Sequence, residues 1–137
     1  MSRYLLDTNI CVHLLKNDAK PVARIRLVGT ENCWLSEITV AELLYGVALS
    51  APERREANRR QLTALLAELE ARILPISGAL AVYAEQKAQL RRMGRPTGDL
   101  DLLIGSTALA HDLTLATRNT KDFVNLSGLR LENWVDG

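Results

Sequence analysis

Short apolar runs alternate along this chain with longer stretches of helical period, and that alternation restricts the fold more than any other feature. The strand-like runs fall at 3–6, 33–35, 72–76, 114–117 and 129–131. The helical stretches fall at 38–50, 52–70, 77–93 and 99–111. Strands joined through helices pair in parallel, and a parallel sheet has to be covered on both faces. The expected product is therefore a small α/β sandwich. Ile38, Ala41, Tyr45, Ala48 and Leu49 recur at three-and-four spacing, which predicts one buried stripe, and Leu62, Leu65, Leu66 and Leu69 repeat it. Pro52 suits a first helical turn, while Gly94 and Pro96 end the stretch before them.

With 137 residues, 47% of them hydrophobic, the chain reads as one compact domain over 1–137 that needs no disulfide or structural metal to hold its core. Seventeen Lys+Arg against 16 Asp+Glu leave a net charge of +1, so nucleic acid would have to be met by local patches and not by a basic tail. Cys11 and Cys33 sit in apolar stretches and read as small hydrophobes of a protein kept in a reducing cytoplasm. The longest uncharged run, 73–84, is broken by Pro75, Ser77 and Gly78, too short for a membrane span. The six aromatics are scattered, which argues against a stacking platform for single strands.

In an open parallel sheet, ligands bind beyond the carboxyl ends of the strands. Acids stand at several such places: Asp7 after the first run, Glu42 in the helix after the second, Asp99 and Asp101 opening the helix after Gly98, and Asp122 after the fourth run. Each has a plain structural reading. Asp7 and Asn119 are helix caps, Thr39-x-x-Glu42 fits a capping box, and Asp99 and Asp101 suit a helix dipole. Taken together they would repel one another at one sheet edge unless a cation lies between them. No His or Cys accompanies them at ligand spacing, so an all-oxygen site for Mg²⁺ or Mn²⁺ is indicated and Zn²⁺ is not. Carboxylates with one or two such ions suit phosphoryl chemistry.

Five blocks in order carry a family resemblance: YLLDTNICVHLLK (4–16), SEITVAELLYGV (36–47), GRPTGDLDLLIGSTAL (94–109), LATRNTKDF (115–123) and GLRLENW (128–134). The chain resembles the PIN-domain ribonucleases, and more closely the VapC toxins of bacterial toxin–antitoxin pairs. That resemblance implies a single PIN domain, a three-layer α/β/α sandwich with a mostly parallel central sheet. It implies that Asp7, Glu42 and Asp101 bind the metal, with Asp122 a fourth and more variable acid. Asp101 and not Asp99 precedes the apolar run Leu102-Leu103-Ile104, so Asp99 is assigned a cap or a supporting role. Gly105-Ser106 and Arg118-Asn119 depart from the pattern of close relatives without removing an acid. The resemblance further implies divalent-metal-dependent cleavage of RNA, frequently tRNA, a homodimer, and a VapB-type antitoxin that blocks the site.

Such cleavage leaves a 3′-hydroxyl and a 5′-phosphate. A metal-free route through two histidines would rely on His13 and His111, which belong to no acid–base constellation and read as structural. Thr8, Ser36, Thr39, Thr117 and Asn119 lie beside the acids and either orient the ligands or cap helices. Arg95, Arg118 and Lys121 are candidate RNA contacts, Arg118 and Lys121 being adjacent to Asp122. Arg54, Arg55, Arg59 and Arg60 form one basic patch, better read as a solvated face balanced by Glu53 and Glu56, and Lys87, Arg91, Arg92 and Arg95 form another. Two other readings remain open: a PIN-fold nuclease with a different RNA-processing role, or a partner-binding module whose acids only cap helices.

Overall fold

A computed structural model describes residues 2–137. Five strands, β1 (Tyr4–Leu6), β2 (Cys33–Ser36), β3 (Ile73–Leu74), β4 (Thr114–Ala116) and β5 (Leu131–Glu132), form one sheet in the order β3-β2-β1-β4-β5, every pair parallel. Between them run six helices: α1 (Thr8–Leu15), α2 (Ala19–Val28), α3 (Glu37–Ala48), α4 (Pro52–Leu69), α5 (Leu80–Arg92) and α6 (Asp99–Ala110). The mostly parallel sandwich expected from the alternation is present. The two edge strands are shorter than predicted, two residues each, and the 77–93 stretch opens as a 3-10 turn over Ile76–Ala79 before α5 begins.

β1 shows why the chain reads as continuous apolar runs. All three of its residues are buried, and successive side chains leave opposite faces of the sheet. Tyr4 and Leu6 join one core with Ile10, Leu35, Leu62 and Trp134, under the α1 and α4 side. Leu5 joins the other with Ile104, Leu115 and Phe123, under α6. At roughly 2 kcal/mol for each buried aliphatic or aromatic side chain, these two layers supply most of the drive to fold. The stop after α5 takes the expected form: Gly94 is left-handed (φ +66°), its N–H donates to the Arg91 carbonyl, and Arg95 N–H reaches back to the Leu90 carbonyl.

The stripe predicted for α3 is a correction. Tyr45 is 65% exposed and Leu49 66%, while Thr39, Leu43 and Val47 face the core one turn apart. This helix is apolar on most of its circumference, so its periodicity offers two stripes, and contact with α1 and α4 selects the second. Leu62, Leu65, Leu66 and Leu69 do face the core. Cys11 and Cys33 are both buried and unbridged. Among the described residues no helix is long and apolar enough to cross a membrane.

Candidate active site

The chain steps outward from β1 to β2 and β3, then returns to lay β4 on the other side of β1. Where strand order reverses, the segments leaving the two strands part and open a crevice at their carboxyl ends. Asp7 leaves β1 there and Thr117 leaves β4. The Thr117 hydroxyl donates to Asp7 Oδ2 at 2.7 Å, tying the two lips together. Asp7 Oδ1 accepts the Thr8 backbone N–H at 2.8 Å, so the same carboxylate caps α1, and Asn9 Nδ2 donates to Oδ2 at 3.0 Å. Asp7 is only 4% exposed. Burial pushes its pKa up, Thr117, Thr8 and Asn9 pull it down, the Glu42 charge pushes it up again, and the balance is a raised value.

Glu42 comes from α3, and its Oε1 accepts from the Thr8 hydroxyl at 2.6 Å. Thr8 Oγ1 also lies 3.2 Å from the hydroxyl of the buried Thr39. The capping-box reading of Thr39 and Glu42 does not hold, because Ser36 caps α3 by accepting the Ile38 N–H at 3.1 Å. Thr39 thus lies inside the helix, and Glu42 projects from its second turn. Asp101 comes from the first turn of α6. Burial, followed by the charges of Asp7, Glu42 and Asp122, pushes its pKa up to about 6.

Asp7, Glu42 and Asp101 line one pocket of about 320 Å³, with Thr8, Asn9 and Asn119 between them and Val12 and Phe123 as an apolar wall. Asp122 is exposed in the turn Thr120–Asp122, outside the pocket lining, and acts on Asp101 through its charge. Asp99 points elsewhere: it accepts from Tyr83 and from Lys87, both at 2.9 Å, and these donors hold its carboxyl below the usual range. Two residues apart on a helix is about 200° of rotation, so Asp99 and Asp101 necessarily face opposite ways.

Asn119 spends its backbone N–H on Thr117 Oγ1 at 3.0 Å, and its side chain caps nothing. Arg118 is held beside the pocket by its backbone N–H on Asn9 Oδ1, while its guanidinium pairs with Asp136 at 3.3 Å. Lys121 and Arg95 are exposed, in the turn before Asp122 and in the loop after α5. His13 pairs with Asp18, His111 closes the end of α6, and neither lines the pocket. Asn9 is the residue that the sequence reading missed. Its amide bridges Asp7 and Thr117 while its carbonyl holds Arg118, and the only sequence signal for it is the Asp-Thr-Asn run itself.

Among the described residues no three acids are grouped tightly enough to hold an ion as they stand. Glu42 is turned toward Thr8. The donor chemistry nevertheless fits a hard divalent cation: the facing groups are carboxylate oxygens, and two of the three acids are already pushed toward their protonated form. A sign follows for stability. Because the folded pKa values of Asp7 and Asp101 are raised, their contribution to stability is complete below the ordinary carboxylate range and is lost as pH rises through the folded values, about 6 for Asp101. Thermal melts are expected to show the metal-free protein less stable near pH 7.5 than near pH 5, with Mg²⁺ or Mn²⁺ raising the midpoint by a few degrees near pH 7.5 and hardly at all near pH 5. Equal metal shifts at both pH values would remove the acids from the binding site.

Carboxylates gathered at one edge of a parallel sheet suit a hard divalent cation, the arrangement of a metal-dependent nuclease. The PIN domain model matches residues 4–129, and the chain belongs to that family, within its VapC ribonucleases. It is 38% identical to Ribonuclease VapC2 of Rickettsia felis over 134 residues, 96% of this chain and 97% of that one. It is 35% identical to the tRNA(fMet)-specific endonuclease VapC of Shigella flexneri over 137 residues, 98% and 99% of the two chains. Among solved structures, VapBC2 from Rickettsia felis bound to a DNA fragment from their promoter superposes with a TM-score of 0.86 at 36% identity, covering 96% of this chain and 98% of that one.

Proposed function

We propose that this protein is the toxin of a toxin–antitoxin pair, a cytoplasmic endoribonuclease that hydrolyses RNA phosphodiester bonds, tRNA being the substrate class, to leave 3′-hydroxyl and 5′-phosphate ends. The observation that carries this reading is the convergence of Asp7, Glu42 and Asp101 on one pocket at the carboxyl edge of the sheet. These three would hold one or two Mg²⁺ or Mn²⁺ ions, with Asp122 as an outer acid. The ion supplies positive charge for the scissile phosphate and the acidity that makes a water nucleophilic near neutral pH.

The chain's own groups do the positioning. Thr117 and Asn9 fix the direction of Asp7 Oδ2, and Thr8 fixes Glu42 through the 2.6 Å bond. Asp7 is thereby set before substrate arrives, while Glu42 has to turn from Thr8 to meet an ion. Val12 and Phe123 keep one side of the pocket free of competing water. Arg118, Lys121 and Arg95 are the candidate RNA contacts, whose positive charge would draw the RNA backbone toward an otherwise repellent acidic site. A VapB-type antitoxin restrains the enzyme, and the exposed Leu44, Tyr45 and Leu49 of α3 supply an apolar face for a second copy of the chain.

Incubation of the purified protein with total bacterial RNA is expected to give discrete fragments with 5′-phosphates in Mg²⁺ or Mn²⁺ and none in chelator. Cyclic-phosphate ends, or cutting that survives chelation, would overturn the reading. A folded protein that cuts nothing would favour the partner-binding module.

A further inference from the structure

A second concavity, about 510 Å³, lies between α1, α3 and α4 and opens into the acid pocket, because Thr8, Val12 and Glu42 line both. Away from that junction its floor is apolar, formed by Leu15, Leu43 and Val47, and its far rim carries Lys16 and Arg54. Neither rim cation has a side-chain hydrogen bond or ion pair among the described residues. Of the other arginines of α4, Arg55 donates to the Ser50 carbonyl and Arg59 pairs with Glu56, while Arg60 has no such partner among the described residues and lies outside the groove lining.

Gly46 sits in the middle of α3 on the groove. A glycine inside a helix is unfavourable relative to alanine, and at most positions a close approach or a left-handed backbone explains it. Neither applies here, since a Cβ at Gly46 would meet nothing within 4 Å and its φ is not positive. What the missing side chain does is keep the groove open.

We propose that this groove carries the RNA strand on one side of the scissile phosphate, with Lys16 and Arg54 contacting flanking phosphates and Gly46 leaving room for the chain to pass. The assignment rests on the ribonuclease reading above. Acids at one end and uncommitted cations at the other match a strand whose reacting phosphate is met through a metal and whose next phosphates are met by side chains. The apolar floor suits the faces of bases, which every nucleotide offers.

The test uses a tRNA transcript as probe. Cleavage by wild-type protein in Mg²⁺ or Mn²⁺ is measured first, then binding in chelator across a salt series. Arg54→Glu and Lys16→Glu are each expected to weaken binding at least about tenfold. The Lys16→Ala/Arg54→Ala pair is expected to flatten the slope of log affinity against log salt by about 0.7–0.9 for each phosphate no longer neutralised. Gly46→Leu is expected to weaken binding about tenfold while the melting temperature holds or rises, separating a filled groove from a damaged fold. Arg60→Glu, the same charge change on α4 outside the groove lining, is expected to stay within about twofold of wild type. Equal weakening by Arg60→Glu, or unchanged binding by Gly46→Leu, overturns the groove while leaving wild-type cleavage, and so the ribonuclease reading, standing. Gly46→Leu that binds RNA normally yet releases its antitoxin assigns the groove to a protein segment and overturns the proposal as well. A wild-type protein that neither binds nor cuts the transcript overturns both readings.

Discussion

Asp7→Asn is expected to lower kcat/KM for RNA cleavage about a thousand-fold, the several kcal/mol that a correctly held divalent ion supplies to phosphoryl transfer. The fold is expected to survive. Asparagine keeps an oxygen for the Thr8 N–H, but its amide faces two donors, Asn9 Nδ2 and the Thr117 hydroxyl, at a cost of about 1–2 kcal/mol. Removing a charge held at 4% exposure offsets a comparable amount. Net stability therefore stays within about 1 kcal/mol, or about 4 °C in melting temperature. Asp101→Asn is expected to lose activity to the same degree and to melt higher than wild type near neutral pH. Asp101 accepts no hydrogen bond among the described residues, and three other acids push its pKa up. Steady-state kinetics beside thermal melts check both variants. Cleavage within about threefold of wild type by either would remove the acids from the chemistry.

Trp134→Ala has the largest effect on stability, about 3–5 kcal/mol, which for a chain of this length lowers the melting midpoint by roughly 10–20 °C. The indole is 2% exposed and meets the Tyr4 ring edge-on at 5.1 Å and 62°. Arg24 lies over its face at 5.6 Å, and its Nε1 donates to Glu132 at 3.0 Å. Glu132 also receives the Tyr4 hydroxyl at 3.2 Å and the Arg24 guanidinium, so one indole joins β1, α2 and the segment after β5. Trp134→Phe removes the N–H bond and keeps most of the packing, and is expected to cost only about 1–2 kcal/mol. Chemical denaturation of the three proteins gives the comparison. A Trp134→Ala midpoint equal to that of Trp134→Phe would mean that the indole is not a structural anchor.

The alternation of elements was legible because the central strand β1 is buried on both faces while an amphipathic helix is buried on one, and those two burial patterns write different periods into the sequence. The placement of the acids followed from it, since a parallel sheet sends every strand's carboxyl end to the same edge. The face of α3 was not legible. Ala41, Tyr45 and Leu49 carry enough apolar surface to pass for a core stripe beside Leu43 and Val47, and only contacts with distant parts of the chain decide between them, Ile38 alone of the predicted stripe packing against the core. The separation of Asp99 from Asp101 took family pattern to see, although helix rotation explains it once the N-terminus of α6 is known. Asn9 escaped because a polar residue at a helix start reads as a cap, and two of its three partners lie 108 and 109 residues away.

The bond from Thr117 to Asp7 has a consequence in time. The crevice is bounded by the first strand to leave the ribosome and the fourth, with Asp101 arriving between them. N-terminal segments fold as they are made, but this site has no second lip until more than a hundred residues have followed Asp7. A ribonuclease built in this order has an unfinished pocket for most of its own synthesis, and the ribosome making it meets the completed one only when the chain is nearly whole.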